Sequence, residues 1–273
     1  MSPDRIRITI VTSTWNCAAA LSATAASIRS QTHRAVQWIV ADGASSDGTA
    51  DRIRDNADVV NQWFSEPDTG IYDAWNKACR FIDGDWVLFL GAGDLLGCAE
   101  TLERVVAELA RMPSEVLVAY GNVVQIVAGE EIYRYGHVDL EQWELHRPKL
   151  PAHQGVFHRA DTLMTPDPFD ASYKVAADSK FLLQIVRPEV TRYMNFDITL
   201  MEPGGVSANP RDAITVMREV FRLEEDLGYQ IPKLRRLLFV VRTYAKYLVF
   251  RFIGAGAVGQ VIRTKRRLFG IRK

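Results

Sequence analysis

Four short segments of the chain bring carboxylates, glycines and small polar side chains together. They are Thr12-Ser13-Thr14-Trp15-Asn16, Asp42-Gly43-Ala44-Ser45-Ser46-Asp47-Gly48-Thr49, Ser65-Glu66-Pro67-Asp68-Thr69-Gly70 and Gly91-Ala92-Gly93-Asp94. Each follows an apolar, β-branched run, which places it beyond the carboxyl end of a strand, where open α/β sheets bind their ligands. Asp42, directly after such a run, could hold ribose hydroxyls or a base edge; a purely structural part in the turn is equally open. Asp47 reads as a helix cap. Asp73, Asn76 and Lys77 lie within two helical turns of one another. Spacing alone favours a surface Asp73–Lys77 pair of about 0.2–0.5 kcal/mol over a diphosphate contact from Asn76 or Lys77. Asp94, beside Gly91 and Gly93, either caps a glycine-rich turn or holds a hard cation that also touches phosphate oxygens.

The elements that must position these groups follow from periodicity. Strands are predicted at residues 6–12, 36–41, 59–64, 86–90 and 116–120, with helices at 18–31, 49–55, 71–81 and 99–111 between them. This alternation belongs to βαβ units around a mostly parallel sheet, so the fold class is α/β. Past Gly121 the pattern loosens. Short strands are expected at 123–127 and 132–135, a Pro-interrupted stretch at 147–151, a helix at 178–186, a strand at 193–201 and a surface helix at 212–227.

A chain of 273 residues with 48% hydrophobic side chains can bury a proper core, which excludes a disordered or fibrous protein. Cys17, Cys79 and Cys98 are too few and too far apart for a disulfide framework or a zinc site, which fits a reducing compartment. The N-terminal residues lack the apolar segment of a signal peptide, so the body is expected to stay in the cytoplasm. No G-x-G-x-x-G follows the first strand, which disfavours a dinucleotide oxidoreductase. A nucleotidyltransferase would need a Gly-rich, Arg/Lys-bearing loop at the same place, and Thr12 to Asn16 supply none.

Lys+Arg and Asp+Glu balance at 33 each, yet the charge is segregated. Residues 233–273 carry twelve Lys/Arg and no Asp/Glu, leaving a body with a net charge of −12. Arg235, Arg242 and Lys246 fall on one helical stripe, with Leu238, Phe239, Val241, Tyr244, Leu248 and Val249 over the rest of the surface. Arg263 to Arg267 add a second basic cluster. The cations interrupt the apolar run too often for a comfortable spanning helix. A helix lying against anionic headgroups accounts for both residue types, at roughly 1 kcal/mol per cation. The alternative is packing on the acidic body or in an oligomer contact. Nucleic acid is disfavoured, because long aliphatic runs interleave with the cations.

Taken together, the strand-tip segments resemble the family 2 glycosyltransferases of the GT-A fold, in particular bacterial members that build surface polysaccharides. The matching pieces are Ile8 to Thr12 with Asn16, Ser30-Gln31-Thr32, Ala41 to Thr49, Ser65 to Lys77 and Gly84 to Asp94. In the second half His153-Gln154-Gly155-Val156-Phe157, Phe169-Asp170 and Tyr173 to Asp178 also match, extending the resemblance to about residue 205. It implies a GT-A type, Rossmann-like, mostly parallel sheet flanked by helices, followed by the basic helical tail. The implied domains are 1–230, with a nucleotide-sugar half at 1–121 and an acceptor half at 122–230, and a membrane-associating tail at 231–273.

The resemblance implies an inverting transfer of a sugar from a nucleotide-diphosphate donor to a hydroxyl. In capsule, O-antigen or exopolysaccharide assembly that hydroxyl belongs to a saccharide on polyprenyl diphosphate. Thr12, Asp42 and Asp68 would line the nucleoside pocket, and Gly70, Asp73, Asn76, Lys77 and Gly93 would complete the donor site. Asp94 would hold Mg²⁺ or Mn²⁺, although Gly91 and Gly93 stand where other members often carry Asp. Asp178 would be the general base, and His153 and Gln154 would contact the acceptor or the diphosphate. The enzyme would work from the cytoplasm, attached peripherally to the inner face of the cell membrane. The competing reading is a non-catalytic nucleotide-sugar or membrane-lipid binding protein with a decayed metal site.

Overall fold

A computed structural model describes residues 5–144, 147–204, 210–229 and 232–268. The chain forms two compact units, Met1–Gln142 with Pro148–Glu202, and Trp143–Arg147 with Pro203–Lys273. Its elements run in order β1 (Ile8–Thr14), α1 (Ala18–Arg29), β2 (Val36–Asp42), α2 (Thr49–Asp55), β3 (Gln62–Ser65), α3 (Ile71–Cys79), β4 (Trp86–Phe89), β5 (Leu95–Leu96), α4 (Thr101–Leu109), β6 (Val118–Val127) and β7 (Glu130–Tyr135). There follow β8 (Trp143–Glu144), β9 (Arg147–Pro148), β10 (Val156–Arg159), α5 (Ala177–Ile185), β11 (Thr191–Met201), α6 (Ala213–Leu227) and α7 (Lys233–Leu268).

In the first unit nine strands form one sheet in the order β3-β2-β1-β4-β10-β6-β11-β5, with β7 paired to β6. Strands β3, β2, β1 and β4 are mutually parallel, while β10 runs antiparallel to both β4 and β6. Strand β1 is buried at all but one position, as expected of a parallel strand covered on both faces. Leu102, Val105, Val106 and Leu109 line the buried stripe of α4 at i, i+3, i+4 and i+7. They join Ile8, Ile10, Trp38, Val40, Leu88, Phe157 and Ile198 in one core cluster.

The α/β class stands, and the departures from expectation have local causes. The amides of Val59 and Val60 bond back to Asn56 O at 3.0 Å, so the chain is still turning there and β3 starts at Gln62. The break expected near Gly121 is absent, and β6 runs through it. A side chain at Gly121 would meet Phe196 O at 2.8 Å and Ile198 at 2.6 Å, so the glycine permits close strand approach rather than marking a turn. Strand β10 escapes a periodicity reading because it has only four residues.

In the second unit, Arg236 of α7 lies over the Phe221 ring of α6 at 4.3 Å, and Phe221 meets Phe239 at 5.9 Å. Exposed apolar residues continue along α7 as Leu234, Leu237, Leu238, Val241, Tyr244, Leu248 and Phe252. Exposed Arg235, Arg242 and Arg251 stand among them. Among the described residues no helix is long and apolar enough to cross a membrane. The basic cluster from Arg263 to Arg267 falls where no side chain is described, and Arg272 and Lys273 lie outside the described residues.

Candidate functional site

The first unit assembles the site at the strand tips. Parallel register sets Thr14 opposite Asp42 and Asp42 opposite Ser65, so the last residues of β1, β2 and β3 meet side by side. Thr14 Oγ1 donates to Asp42 Oδ1 at 2.9 Å and Ser65 Oγ to Oδ2 at 2.6 Å. Ser45 adds its hydroxyl to Oδ1 at 2.5 Å and its amide to Oδ2 at 3.0 Å. Burial works to raise the Asp42 carboxyl, and these donors from Ser45, Ser65 and Thr14 outweigh it, holding the group below the usual carboxylate range. With two donors on each oxygen, Asp42 fixes the geometry of three strand tips. Asp47 takes the Thr49 amide at 3.0 Å and the Ala18 amide at 3.1 Å, closing the starts of two helices at once.

Asp68 hangs over the glycine that follows Asp42. A Cβ at Gly43 would lie 2.5 Å from Asp68 Oδ2, so only glycine lets the carboxylate sit there. The Gly70 amide donates to Oδ1 at 3.0 Å. Burial raises the Asp68 carboxyl, the Gly70 amide and Lys77 oppose this, and the charges of Asp73 and Asp42 add to it. The loop beneath is braced. Lys77 Nζ bonds Pro67 O at 3.0 Å and pairs with Glu66 at 3.0 Å and Asp73 at 3.4 Å, while Asp73 accepts the Thr69 amide at 2.9 Å.

Thr12 and Asn76 lie below this surface. Thr12 is fully buried and accepts from Trp38 Nε1 at 3.0 Å; the tip position belongs to Thr14. Asn76 donates to Phe169 O at 2.7 Å and accepts the Phe169 amide at 2.9 Å, which commits both ends of its side chain to backbone. The diphosphate contact considered for Asn76 would require breaking that clamp. The Asp73–Lys77 pair is real, and it serves the Asp68 loop.

Beyond β4, Thr24 organises the glycine-rich turn. Its hydroxyl accepts the Gly93 amide at 2.8 Å and donates to Asp94 O at 3.0 Å. The Gly91 amide donates to Asp94 Oδ2 at 3.1 Å, and a Cβ at Gly91 would stand 2.7 Å from that oxygen. Burial pushes the Asp94 carboxyl up to about 6, against the pull of the Gly91 amide. Oδ1 meets no donor among the described residues.

Asp178 sits in the first turn of α5, inside the helix, and the N-cap position belongs to Ala176. Its Oδ1 takes the Tyr72 hydroxyl at 3.1 Å and the Ser179 amide at 2.7 Å. Oδ2 has no donor among the described residues. His153 feels the Asp178 charge, yet burial prevails and lowers its imidazole, keeping the ring neutral. The ring stacks on Trp75 at 5.2 Å and Phe89 at 5.4 Å, and its Nε2 lies 3.0 Å from His158 Nε2. His158 Nδ1 is buried without a partner. An orphaned lone pair is tolerated better than an orphaned N–H, so His158 donates from Nε2 and His153 keeps its own proton on Nδ1. The side-chain amide of Gln154 makes no hydrogen bond to a described residue, while its carbonyl accepts from Thr199 at 2.6 Å.

Two residues join the site without a sequence signal of their own. Trp15 ends the β1 tip with its indole 72% exposed. Tyr72 is buried on the inner face of α3, which the helical period of Tyr72, Trp75 and Asn76 marks.

A mostly parallel sheet with carboxylates beyond β2, β3 and β4 and a fourth on α5 is the arrangement of the GT-A class of glycosyltransferases. Residues 9–182 match the family model described as Glycosyl transferase family 2. A PGL/p-HBAD biosynthesis glycosyltransferase of Mycobacterium bovis (strain BCG / Pasteur 1173P2) is 34% identical over 205 residues, covering 72% of this chain and 78% of the relative. Among solved structures, S. aureus TarS 1-349 in complex with UDP-GlcNAc superposes with a TM-score of 0.60 at 16% identity, over 90% of this chain and 73% of that one. The Pyrobaculum calidifontis mannosyltransferase PcManGT, in complex with GDP-Man and Mn²⁺, gives 0.56 at 15% identity over 98% and 81%. The chain spans 44% of full TarS. At these identities the structures establish the fold alone. The chain belongs to glycosyl transferase family 2, and it is a glycosyltransferase.

Proposed function

We propose that the enzyme transfers a sugar with inversion from a nucleoside-diphosphate donor to a hydroxyl of a saccharide carried on polyprenyl diphosphate, during assembly of a surface polysaccharide. One observation carries the chemistry: Asp178 has one oxygen anchored and the other open. Oδ2 takes the proton of the acceptor hydroxyl as that oxygen bonds to the anomeric carbon. The bond from that carbon to the diphosphate oxygen breaks, and the nucleoside diphosphate leaves with the electron pair. One displacement inverts the centre.

The tips of β1, β2 and β3 form the donor side. The exposed Trp15 indole offers a face on which a base stacks, and Asp68 Oδ2 is open to a ribose or base donor. The neutral His153 and the unpaired Gln154 amide serve the acceptor or diphosphate. A divalent cation, Mg²⁺ or Mn²⁺, belongs at Asp94. The open Oδ1, with Oδ2 held by the Gly91 amide, would give one protein bond to a cation, diphosphate and water supplying the rest. Among the described residues no group of three His, Cys, Asp or Glu could hold a cation without that help. Bound at Asp94, a cation would supply charge neutralisation to the leaving diphosphate.

Residues 233–273 complete the reading. Their basic and exposed apolar side chains favour the anionic cytoplasmic face of the membrane, where a polyprenyl-linked acceptor resides. The test is nucleotide release from UDP-, GDP- and dTDP-sugars, with and without Mn²⁺, using membrane-extracted lipid acceptors. Acceptor-dependent release that Asp178→Asn abolishes supports the proposal. Release that persists in that variant overturns the base assignment. Donor binding without turnover on any lipid acceptor favours the non-catalytic alternative.

A further inference from the structure

We infer that Tyr72 is a positioning residue for the base, tying the orientation of Asp178 to the loop that carries Asp68. The inference rests on Asp178 being the base. Its starting point is the asymmetry of that carboxylate. The Ser179 amide holds Oδ1 from within the same helix, and a single residue cannot by itself fix the rotation of a side chain so close in sequence. The Tyr72 hydroxyl supplies the second point, from 106 residues away. Two donors on Oδ1 direct Oδ2 away from both and leave it open to an acceptor hydroxyl.

Tyr72 is well suited to carry positional information. It is 4% exposed, its ring stacks on Phe169 at 6.1 Å, and it meets Trp75 edge-on at 5.3 Å. It also lies in the first turn of α3, directly after the braced loop. The Lys77 and Asp73 bonds to Glu66, Pro67 and Thr69 make residues 66–77 one piece, which carries both Asp68 and Tyr72. Donor-side and base-side geometry are therefore set by a single rigid segment. A nucleoside seated against Asp68 steadies the piece that aims the base.

Removing the hydroxyl leaves the ring packing in place, so Tyr72→Phe isolates the hydrogen bond. A bond to a charged acceptor of this kind corresponds to roughly a 10- to 100-fold effect. We expect Tyr72→Phe to lower kcat by about that factor, with donor KM changed less than about twofold and the melting temperature nearly unchanged. In an Asp178→Asn background, where the residual rate no longer uses the base, Tyr72→Phe should cost nothing further. An unchanged kcat in the single variant overturns the inference, as does an equal loss in both backgrounds or a loss expressed only in donor KM. Full activity in Asp178→Asn alone would instead remove the base reading on which the inference stands, so the two failures are distinguishable.

Discussion

The carboxylates of the two sides of the site are held in opposite ways. On the β2 side, Asp42 has four donors on two oxygens and is 1% exposed. On the far side, Asp94 and Asp178 each have one oxygen fixed and one open. A saturated carboxylate is architecture, because a ligand donor can reach it only by displacing a hydroxyl already there. A half-anchored one is aimed and still has a lone pair to offer. On the proposed reading, the contrast separates a residue that builds the cleft from two that act in it, although all three are Asp at the ends of strands or the start of a helix.

The largest effect that can sharpen the contrast is on transfer. Asp178→Asn keeps the shape and removes the proposed base, and should lower kcat by about 10²- to 10⁴-fold with the fold intact. Asp94→Ala comes next, at roughly a hundredfold, the scale of losing several kcal/mol of charge stabilisation. A cation must also displace the proton from a carboxyl pushed up to about 6. The Mn²⁺ concentration for half-maximal rate should rise as pH falls below about 6. A cation requirement flat from pH 5 to 8 would remove Asp94 from the cation's shell.

The architecture was legible in the sequence where it depends on local periodicity. β1, β2, β4 and the flanking helices follow from alternating apolar runs, and the strand-tip rule then points to Asp42, Asp68 and Asp94. What the sequence did not reveal is convergence. Thr14 and Ser65 reach Asp42 only through the register of parallel strands, from 28 and 23 residues away. A chain read in one dimension places Asp42 at a tip and cannot count its donors. The same holds for Thr12, which differs from Thr14 only in lying one strand repeat deeper. Tyr72 beside the Asp73 motif went unread because its partner stands on another helix. Strand β3 begins late for a different reason: the amides of Val59 and Val60 still bond back to Asn56, at the end of the helix before it.

Two stability effects test the architectural side. Asn76→Ala leaves the Phe169 amide and carbonyl without their partners and should cost about 2–4 kcal/mol in urea or thermal unfolding, with donor KM nearly unchanged in the folded enzyme. Asp42→Asn should cost about 1.5–3 kcal/mol, since one neutral amide cannot accept from four donors. A variant of full stability whose donor KM rises steeply would show Asp42 to be a ligand contact, and the division drawn above would fail there.

Glu224 gives the smallest effect and a third arrangement. On α6 in the second unit it is 5% exposed, and its Oε1 is buried without a partner among the described residues. Burial pushes its carboxyl up to about 7, opposed by the charge of Arg236 and reinforced by Glu225. Like Asp94 it is raised and has an open oxygen, yet that oxygen is sealed, so the consequence falls on stability alone. The folded chain keeps this proton to higher pH than the unfolded chain, whose ordinary value is 4.5. Between about 4.5 and 7 the folded state binds more protons, so this contribution is fully present at low pH and is lost as pH rises through about 7. Protection of α6 amides against hydrogen exchange, corrected for the intrinsic rate, should therefore be greater at pH 5 than at pH 8. Glu224→Gln should level the two. If it keeps the slope of the native chain, the raised carboxyl is elsewhere, and an open oxygen ceases to distinguish a working carboxylate from a sealed one.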